Sequence, residues 1–459
     1  MIRPDRFTRR RMLQTGAGAL GLSLPGWLQL QQQARADKRA VTRGKAKQCI
    51  VIYCWGGISH HETFDIKPEA PQGIRGTFSP IDTVVPGIRV GEHIPLLAAQ
   101  MDKLAVIRSV HHESSAHGKG MFYNLTGHAP PAATTAVNLP PTADQWPSLA
   151  AVVSRLRPAP RGVPGAVRLP YPLVDNGTLQ AGEYGGWLGI KYDPIVLRTP
   201  AGKAWGGVSR TLGSEVLDLN ADIDFERIGS RTSLRKALEQ PVSTEKDFTG
   251  FSHFRQLATD MLLSNGVKHA YDLDREDPRV RESYGDHIGG QSLLLARRLV
   301  EAGVPIVQVC CSAGDLNGGS GDMWDTHGDN FNRLKNRLLP VFDRGFSSLL
   351  VDLENRGMLD ETLVVMLTDF GRTPKINGNA GRDHYPGVYS LVMAGGGIQG
   401  GQVYGSSDSK GAVPHDRPCR PEDIHATIYD CLGISPRTVI HDVLDRPFPV
   451  SHGRILPLT

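Results

Sequence analysis

Cysteine is scarce in this 459-residue chain, and its six cysteines form no Cys-x-x-Cys pair. Zinc ribbons need such closely spaced pairs, so the sequence gives no support for that kind of site. Cys49 and Cys54 lie in an apolar run and are predicted to be buried thiols. If a disulfide forms, Cys419–Cys431 is the first pair to test, because compartments outside the cytoplasm permit disulfides.

Signatures of nucleotide-binding enzymes are also lacking. Gly395-Gly396-Gly397 has no following strand–helix unit and is therefore predicted to be a turn rather than a dinucleotide fingerprint. Asp369-Phe370-Gly371 spells the magnesium-binding triplet of protein kinases. No glycine-rich loop, strand lysine or His-Arg-Asp loop precedes it, which excludes the kinase interpretation.

A surplus of positive charge exists only because of the first 36 residues. These carry six arginines and one aspartate, so the net charge of +4 for the whole chain becomes −1 without them. The remaining chain therefore offers no basic face that would favour nucleic acid or anionic lipid as a partner.

The first 36 residues have the features of an export signal. Arg9 and Arg10 form a twin-arginine motif, the moderately apolar stretch at 16–30 follows, and Ala34-Arg35-Ala36 supplies small residues for cleavage. The apolar stretch is too short for a stable membrane anchor, although an amphipathic anchor helix is the alternative. We predict a signal peptide at 1–36, a mature domain at 37–459, and export in folded form by the twin-arginine machinery to the periplasm or beyond.

Apolar, β-branched runs alternate with helical patterns along the mature chain. This alternation predicts an α/β fold with a mainly parallel sheet covered on both faces. Residues 130–220 are rich in proline, glycine and aromatic residues and are predicted to form an irregular insertion or lid. The predicted strands are Gln48–Trp55, Leu104–Val110, Pro305–Cys311, Thr362–Leu367 and Val388–Ala394; the main predicted helices are Ser148–Leu156, Phe225–Glu239, Phe248–Tyr271, Ile288–Ala302, Leu334–Arg356 and Pro421–Leu432.

Seven of the sixteen histidines lie in loops that follow four of the predicted strands. Because the carboxyl ends of parallel strands share one edge of a sheet, these loops are expected to meet. Structural histidines usually occur singly, so the clustering favours a functional site over the structural alternative. The seven are His60, His61, His111, His112, His117, His327 and His384.

The loop at 368–386 carries the densest set of candidate ligands. Asp369 stands at the end of a predicted strand, and Arg382, Asp383 and His384 follow within the same glycine-rich loop. Carboxylate and neutral imidazole are good ligands for zinc or manganese. The alternative is an Arg–Asp pair in a capped structural loop. A second segment, 111–120, carries Ser114 and Ser115 before a predicted helix, where either serine could be a helix cap or a nucleophile.

Five segments together resemble one bacterial family, domain of unknown function 1501, which is grouped with the alkaline phosphatase and sulfatase superfamily. They are GGISHHETFDIKP, HHESSAHGKGMFYNLTGH, ARRLVEAGVPIVQV, WDTHGDNF and FGRTPKINGNAGRDHYP. The resemblance runs from about Cys49 to the C-terminus. It implies an alkaline-phosphatase-like three-layer α/β/α fold and hydrolysis of phosphate or sulfate esters at one or two divalent metal ions.

The resemblance also implies a set of site residues. The implied metal ligands are Asp325, His327, Asp369 and His384, with Asp65 or His60 substituting for an aspartate expected after the first strand. Phe370 stands where the superfamily has an imidazole, and the nucleophile position falls on or near His117 rather than on a clear Ser, Thr or Cys. The implied catalytic residues are His117, Ser115, Arg372 and Arg382. Either a metal-bound water would attack or His117 would form a covalent intermediate, with Arg372 or Arg382 holding the anionic group.

Two functions follow from these residues. The first is a secreted hydrolase of sulfate or phosphate esters that uses zinc, manganese or calcium and acts on a small anionic ester such as a sulfated or phosphorylated saccharide. The second is a catalytically degenerate relative that binds a periplasmic ligand or protein. The retained acidic and histidine ligands favour the hydrolase, whereas Phe370 and Gly56-Gly57 at expected ligand positions favour the binding protein.

Overall fold

The computed structural model describes residues 44–130, 138–175, 177–196, 260, 265–311 and 323–459. The predicted signal peptide at 1–36 lies outside these residues, as do the predicted helix at 225–239 and most of that at 248–271. Across the described residues, no helix combines the length and the apolar character needed to cross a membrane.

One eight-stranded sheet forms the centre of the fold. Its strands are β1 Gln48–Cys54, β2 Leu104–Val110, β3 Val167–Leu169, β4 Ile195–Val196, β5 Ile306–Cys310, β6 Thr362–Thr368, β7 Tyr389–Ala394 and β8 Gln402–Tyr404. The strand order is β8-β2-β7-β6-β1-β5-β3-β4, and five of the seven neighbouring pairs are parallel because β7 alone runs against the others.

Helices cover both faces of this sheet. Every residue of β5, β6 and β7 is buried, which requires packing on both sides of these continuous apolar runs. The α-helices are α1 Pro95–Ala98, α2 His117–Thr126, α3 Leu149–Leu156, α4 Asn265–Tyr271, α5 Pro278–Ser283, α6 Ile288–Glu301, α7 Asn330–Arg333, α8 Leu339–Asn355 and α9 Pro421–Cys431. One layer joins α6, α8 and α4, and the other contains α2 and α9. The predicted α/β/α class with a mainly parallel sheet is confirmed.

Most predicted elements are present within a residue or two of their predicted bounds. The exception is the long helix predicted over 334–356, where α7 runs into a π-helical turn, Leu334–Leu338, before α8 begins. Pro340 occupies the first turn of α8 and so needs no hydrogen-bond donor of its own. All six cysteines belong to the described residues and are free and buried, so the suggested Cys419–Cys431 disulfide is wrong.

The segment predicted as an irregular insertion contributes strands to the main sheet. β3 pairs with β5, and β4 pairs with β3 at the outer edge. The small hairpin of Val174–Asp175 and Thr178–Leu179 follows β3. Residues 197–220 of the same segment lie outside the described part of the chain.

The carboxyl ends of β1, β2, β5 and β6 meet at one rim of the sheet. Cys54 lies opposite Thr368 in the register of β1 and β6, and Tyr53 lies opposite Cys310 of β5. Because β7 is antiparallel to β6, the loop between them leaves and re-enters the sheet at this same rim. The candidate residues from these four loops are thereby brought together.

Candidate metal centre

Three imidazoles surround the carboxylate of Asp325. Asp325 Oδ1 lies 3.1 Å from His327 Nε2 and 3.0 Å from His384 Nε2, while Oδ2 lies 3.4 Å from His117 Nε2. The two nitrogens His327 Nε2 and His384 Nε2 are themselves 2.9 Å apart. We call Asp325, His117, His327 and His384 the histidine cluster. It draws its members from the loops after β2, β5 and β6.

Each imidazole of the cluster has an oxygen acceptor for its other nitrogen. Nδ1 of His117 lies 2.7 Å from Asp369 Oδ2, and Nδ1 of His327 lies 2.6 Å from Asp383 Oδ1. Nδ1 of His384 lies 2.8 Å from the backbone oxygen of Ser115. Oxygen acceptors at these positions favour a proton on Nδ1 in all three rings, so that each ring, when neutral, has its lone pair on Nε2.

These atoms fit a cation. Two nitrogen lone pairs 2.9 Å apart repel each other unless a proton or a metal lies between them. Within the described chain, the buried Nε2 of His117 has no hydrogen-bond partner. One donor atom each from His117, Asp325 and His384 lies within 4.8 Å of the others. Donor atoms about 2.1 Å from one ion at right angles are about 3.0 Å apart, close to the separations of Asp325, His327 and His384.

Charges around the cluster are strongly coupled. Burial opposes a charge on His117, but contact with the carboxylates of Asp325 and Asp369 outweighs burial and raises its pKa to about 9. Burial likewise opposes a charge on Asp325, yet the imidazoles and Arg372 hold its pKa far below the usual range. Burial lowers the pKa of His384. The two carboxylates thus stabilise positive charge at this point of the rim.

Asp369 contacts His117 and does not complete the group around Asp325. Its side chain is fully buried, and both oxygens accept hydrogen bonds: Oδ1 from the Tyr53 hydroxyl at 2.7 Å, and Oδ2 from the Gly56 amide at 3.0 Å. Oδ2 also lies 2.7 Å from His117 Nδ1. Asp369 was predicted to be a metal ligand, but in the structure it orients the His117 imidazole.

The Arg372 guanidinium is also hydrogen-bonded to other groups of the protein. Its side chain is fully buried, and Nη2 donates to Asp325 Oδ1 at 2.7 Å. The remaining bonds of the guanidinium go to the backbone oxygens of Gly56, Gly57, Trp324 and Arg382. A guanidinium in this position neutralises and orients Asp325, and it is not placed to hold a substrate anion as the sequence predicted.

Arg382 is part of a buried ion pair on a different side of the loop. Its Nη2 donates to Glu62 Oε1 at 2.7 Å, and neither side chain is exposed. Other donors of Arg382 bind the backbone oxygens of Ile74, Thr373 and Pro374. Replacing either residue would leave the charge of the other buried and unpaired, which is strongly destabilising. The pair therefore has a structural role in this loop.

The two residues suggested as substitute ligands after β1 have other partners. Asp65 binds Lys67 at 2.8 Å and the Ser407 hydroxyl, and it faces Arg108. His60 is buried, with Nε2 lying 3.0 Å from the backbone oxygen of Gly411. Ser115 contributes its backbone oxygen to His384, and its side chain is exposed. The structure therefore brings together four of the ten predicted site residues, with Asp369, Arg372 and Ser115 in direct contact with them.

Aromatic rings enclose the buried side of the cluster. Phe370 is fully buried, with its ring centre 5.0 Å from that of His117 and 4.6 Å from that of His384. Trp55 also stacks on His117, with 5.1 Å between the ring centres. His327 and His384 are more open, with 45% and 20% of their side chains exposed. Ligands can reach the cluster past these two residues.

Sequence reasoning missed three residues of this site. Asp383 was noted in the loop but not assigned, although its spacing one residue from His384 was a usable signal. Asp175 is close enough to the cluster for its charges to act on this carboxyl. Burial raises the pKa of Asp175, and the charges of the cluster shift it in both directions, with a net rise. Trp55 carried no signal in the sequence, since its place in the site depends on stacking against His117, 62 positions later.

The family described as "Protein of unknown function (DUF1501)" matches residues 46–458. No curated protein matches the chain. Similar solved structures include Ps i-CgsB in complex with k-i-k-neocarrahexaose, at 10% identity and TM-score 0.40, covering 85% of this chain and 72% of that one. The lipoteichoic acid synthase LtaP from Listeria monocytogenes has 10% identity and TM-score 0.36, covering 86% and 74%. Alkaline phosphatase from the Antarctic bacterium TAB5 has 13% identity and TM-score 0.37, covering 84% and 98%.

Proposed function

Since the chain belongs to the DUF1501 family, we infer its function from the site and propose metal-dependent hydrolysis of sulfate or phosphate esters at the histidine cluster. The match over residues 46–458 confirms the family that the sequence suggested. The description of that family leaves the activity open. We further propose that the mature protein acts in the periplasm or outside the cell, on a small anionic ester such as a sulfated or phosphorylated saccharide.

The observation that carries this proposal is the shared orientation of three imidazoles. His117, His327 and His384 each have an oxygen acceptor at Nδ1, and all three turn Nε2 toward Asp325. Metal-binding histidines commonly donate their other N–H to a carboxylate or carbonyl in this way. Structural histidines usually occur singly, whereas three imidazoles here face one carboxylate. Three nitrogens and one oxygen suit zinc or manganese better than calcium, which prefers oxygen ligands throughout.

The residues around the cation would have different roles. A divalent cation held by the cluster supplies a Lewis acid and lowers the pKa of water. Asp369 keeps His117 in one tautomer through Nδ1, and Arg372 keeps Asp325 ionised. The exposed side chains of His327 and His384 would admit the ester, while Phe370 packs against the rings of His117 and His384 and excludes water there. His117 serves here as a ligand rather than as the nucleophile.

An anionic substrate fits the position of α2. His117 is the first residue of this ten-residue helix, and Ala116 before it provides no side-chain cap. The amides of a first helical turn lack intrahelical acceptors and carry partial positive charge. Together with a cation beside His117, they favour a negatively charged sulfate or phosphate group.

A catalytically degenerate binding protein is the second candidate. It is favoured by the burial of both arginines, since neither Arg372 nor Arg382 is free to neutralise charge that develops on the substrate. It is also favoured by Phe370, which fills the position of an expected imidazole next to the cluster. Such a protein would bind a cation and an anion without turning over an ester.

Metal analysis and ester hydrolysis together decide between the two. We expect the mature protein, purified without chelators, to retain about one zinc or manganese ion per chain and to hydrolyse 4-nitrophenyl sulfate or 4-nitrophenyl phosphate. Asp325→Asn and His384→Ala are expected to lose both the ion and the activity. His441→Ala, at an exposed strand far along the chain, is the matched control and should lose neither. A metal-loaded protein inactive on both ester classes would favour the binding protein, and a protein that retains no ion would contradict both.

A further inference from the structure

Trp55 carries a buried hydrogen-bond donor with no acceptor. Only 3% of the residue is exposed, and among the described residues its indole Nε1 has no hydrogen-bond partner. An indole N–H can only donate, and leaving a buried donor unpaired costs about 1–3 kcal/mol. Such exceptions are rare in folded proteins and call for an explanation.

The neighbouring imidazole does not supply that acceptor. The rings of Trp55 and His117 are nearly parallel, with 16° between their planes and 5.1 Å between their centres. Because the N–H bond lies in the indole plane, it runs alongside the imidazole and does not point at its face. Nε2 of His117, which is also buried, likewise lacks a partner. Two stacked rings therefore hold two buried nitrogens that do not satisfy each other.

The position of Trp55 ties it to the histidine cluster. It follows the last residue of β1 and precedes Gly56, whose amide binds Asp369. Tyr53, two residues earlier and so on the same face of the strand, reaches Asp369 with its hydroxyl. The unpaired indole thus lies in the layer of side chains that supports the cluster, beside the first turn of α2.

We propose that Trp55 is a substrate-binding residue whose indole N–H donates to an oxygen of the tetrahedral oxyanion bound at the histidine cluster. The inference rests on the proposed function, and it explains how an anion can be held when both buried guanidiniums are already paired. A neutral donor beside a cation adds direction to the binding without adding charge. Sulfate and phosphate share the required oxygens, so both are tested.

Kinetics of Trp55→Phe give the first test. Phenylalanine keeps an aromatic ring against His117 and removes the N–H. A hydrogen bond to a charged oxygen is worth roughly 10- to 100-fold, and we expect kcat/KM for the hydrolysed ester to fall by that factor. Zinc content should be unchanged. Trp187→Phe, in the separate aromatic cluster with Trp146 and Phe448, is the matched control and should behave as wild type.

Indole resonances give a second test that does not require turnover. In zinc-loaded protein labelled at tryptophan with ¹⁵N, the signal missing from Trp55→Phe identifies Trp55. If that variant does not fold, broadening of the nearest indole signal by manganese in the cluster identifies it instead. We expect inorganic sulfate or inorganic phosphate to shift this signal, and we expect no shift in His384→Ala.

The outcomes separate this inference from the proposed function. A Trp55 signal that shifts in a protein without esterase activity would support the inference and contradict the hydrolase. Hydrolysis by Trp55→Phe at the wild-type kcat/KM, with a Trp55 signal that neither anion moves, would leave the hydrolase standing and overturn the inference. A shift with only one of the two anions would identify the substrate class.

Discussion

The histidines of the cluster and the neighbouring His112 differ in the partners of their two ring nitrogens. In the histidine cluster, Nδ1 meets an oxygen acceptor and Nε2 is left toward Asp325. His112 uses both nitrogens within the protein, with Nε2 on the backbone oxygen of Asp369 and Nδ1 accepting from the Ser114 amide. The same residue type therefore serves as candidate ligand in one place and as structural support a few ångströms away.

Replacing the acceptor of His117 tests its orientation. We expect Asp369→Asn to weaken zinc binding about 10- to 100-fold, because partners of ligating histidines typically have effects of that size. Asparagine can still accept from His117 and Gly56, so folding should survive while the negative charge is lost. Competition titration with a chromophoric zinc chelator measures the affinity.

Asp383→Asn provides the graded comparison. Asp383 is about half exposed where it meets His327, so solvent already weakens its influence and we expect a smaller loss of affinity. Equal zinc affinity in wild type and Asp369→Asn would show that the buried carboxylate does not support the ligand.

A buried histidine outside the cluster predicts acid sensitivity. His425 is fully buried, with Nε2 lying 2.9 Å from the backbone oxygen of Asn124, and burial lowers its pKa to about 4. The unfolded chain takes up this proton near pH 6.5, whereas the folded chain resists until about pH 4. The stabilisation is therefore complete above pH 6.5 and is lost as the pH falls toward 4.

We expect His425→Gln to flatten this dependence. Between pH 7.5 and 5.0 the unfolding free energy of the wild type should fall by about 2 kcal/mol more than that of the variant. Urea denaturation at the two pH values measures the difference, and any packing loss cancels because it is present at both. Parallel pH profiles for the two proteins would contradict the assignment.

At this scale the sequence predicted residue types better than their roles. His117, His327 and His384 were expected at one site because each follows a strand at the same rim, and Asp325 was expected there from the family resemblance. The roles of Asp369, Arg372 and Arg382 depend on partners far away in the sequence, such as Glu62 for Arg382, 320 positions earlier. Only the folded chain shows which charges are already paired, and so which remain available to a ligand.

Among the elements, α2 is held against the end of β6 by a close backbone contact. The Asp369 carbonyl oxygen accepts from His112 Nε2 at 2.7 Å and from Asn124 Nδ2 at 2.9 Å. A Cβ atom on Gly120 would lie 2.7 Å from the same oxygen. This position must therefore be glycine if His117, three residues earlier, is to stay at the rim.

Gly120→Ala is expected to push α2 away from β6. We expect a loss of about 1–3 kcal/mol in unfolding free energy, typical of overpacking, together with a loss of zinc affinity. Gly378→Ala is the matched control, because a Cβ atom there would meet nothing within 4 Å. Thermal unfolding and zinc titration of both variants check this. A Gly120→Ala protein as stable as Gly378→Ala would mean that α2 is not constrained by this contact.

Long apolar runs made the elements predictable, whereas very short strands and strand direction were not predictable. β1, β2, β5, β6 and β7 were expected because each is a long, mainly apolar run. β4 is two residues long, and the reversal of β7 follows from hydrogen bonds with β6 and β2 that no local pattern encodes. The π-helical turn before Pro340 was likewise hidden within a single helical pattern.

For the molecule as a whole, the first question is where it works. Replacing Arg9 and Arg10 together with lysine should leave unprocessed precursor in the cytoplasm, because the twin-arginine pathway reads that pair. Fractionation and immunoblotting of cells that produce the full chain measure the distribution. Normal processing of the double variant would remove the twin-arginine interpretation.

The central position of β1 has a consequence for synthesis. β1 is made first among the strands, yet its neighbour β6 begins at Thr362, more than 300 residues later. At 5–20 residues per second, a ribosome needs about 15–60 s to reach it. Throughout that time an apolar strand, Gln48–Cys54, waits with an unpaired edge in the cytoplasm. The chain therefore depends on protection while it is being made, and the histidine cluster is completed only when the last quarter of the chain emerges.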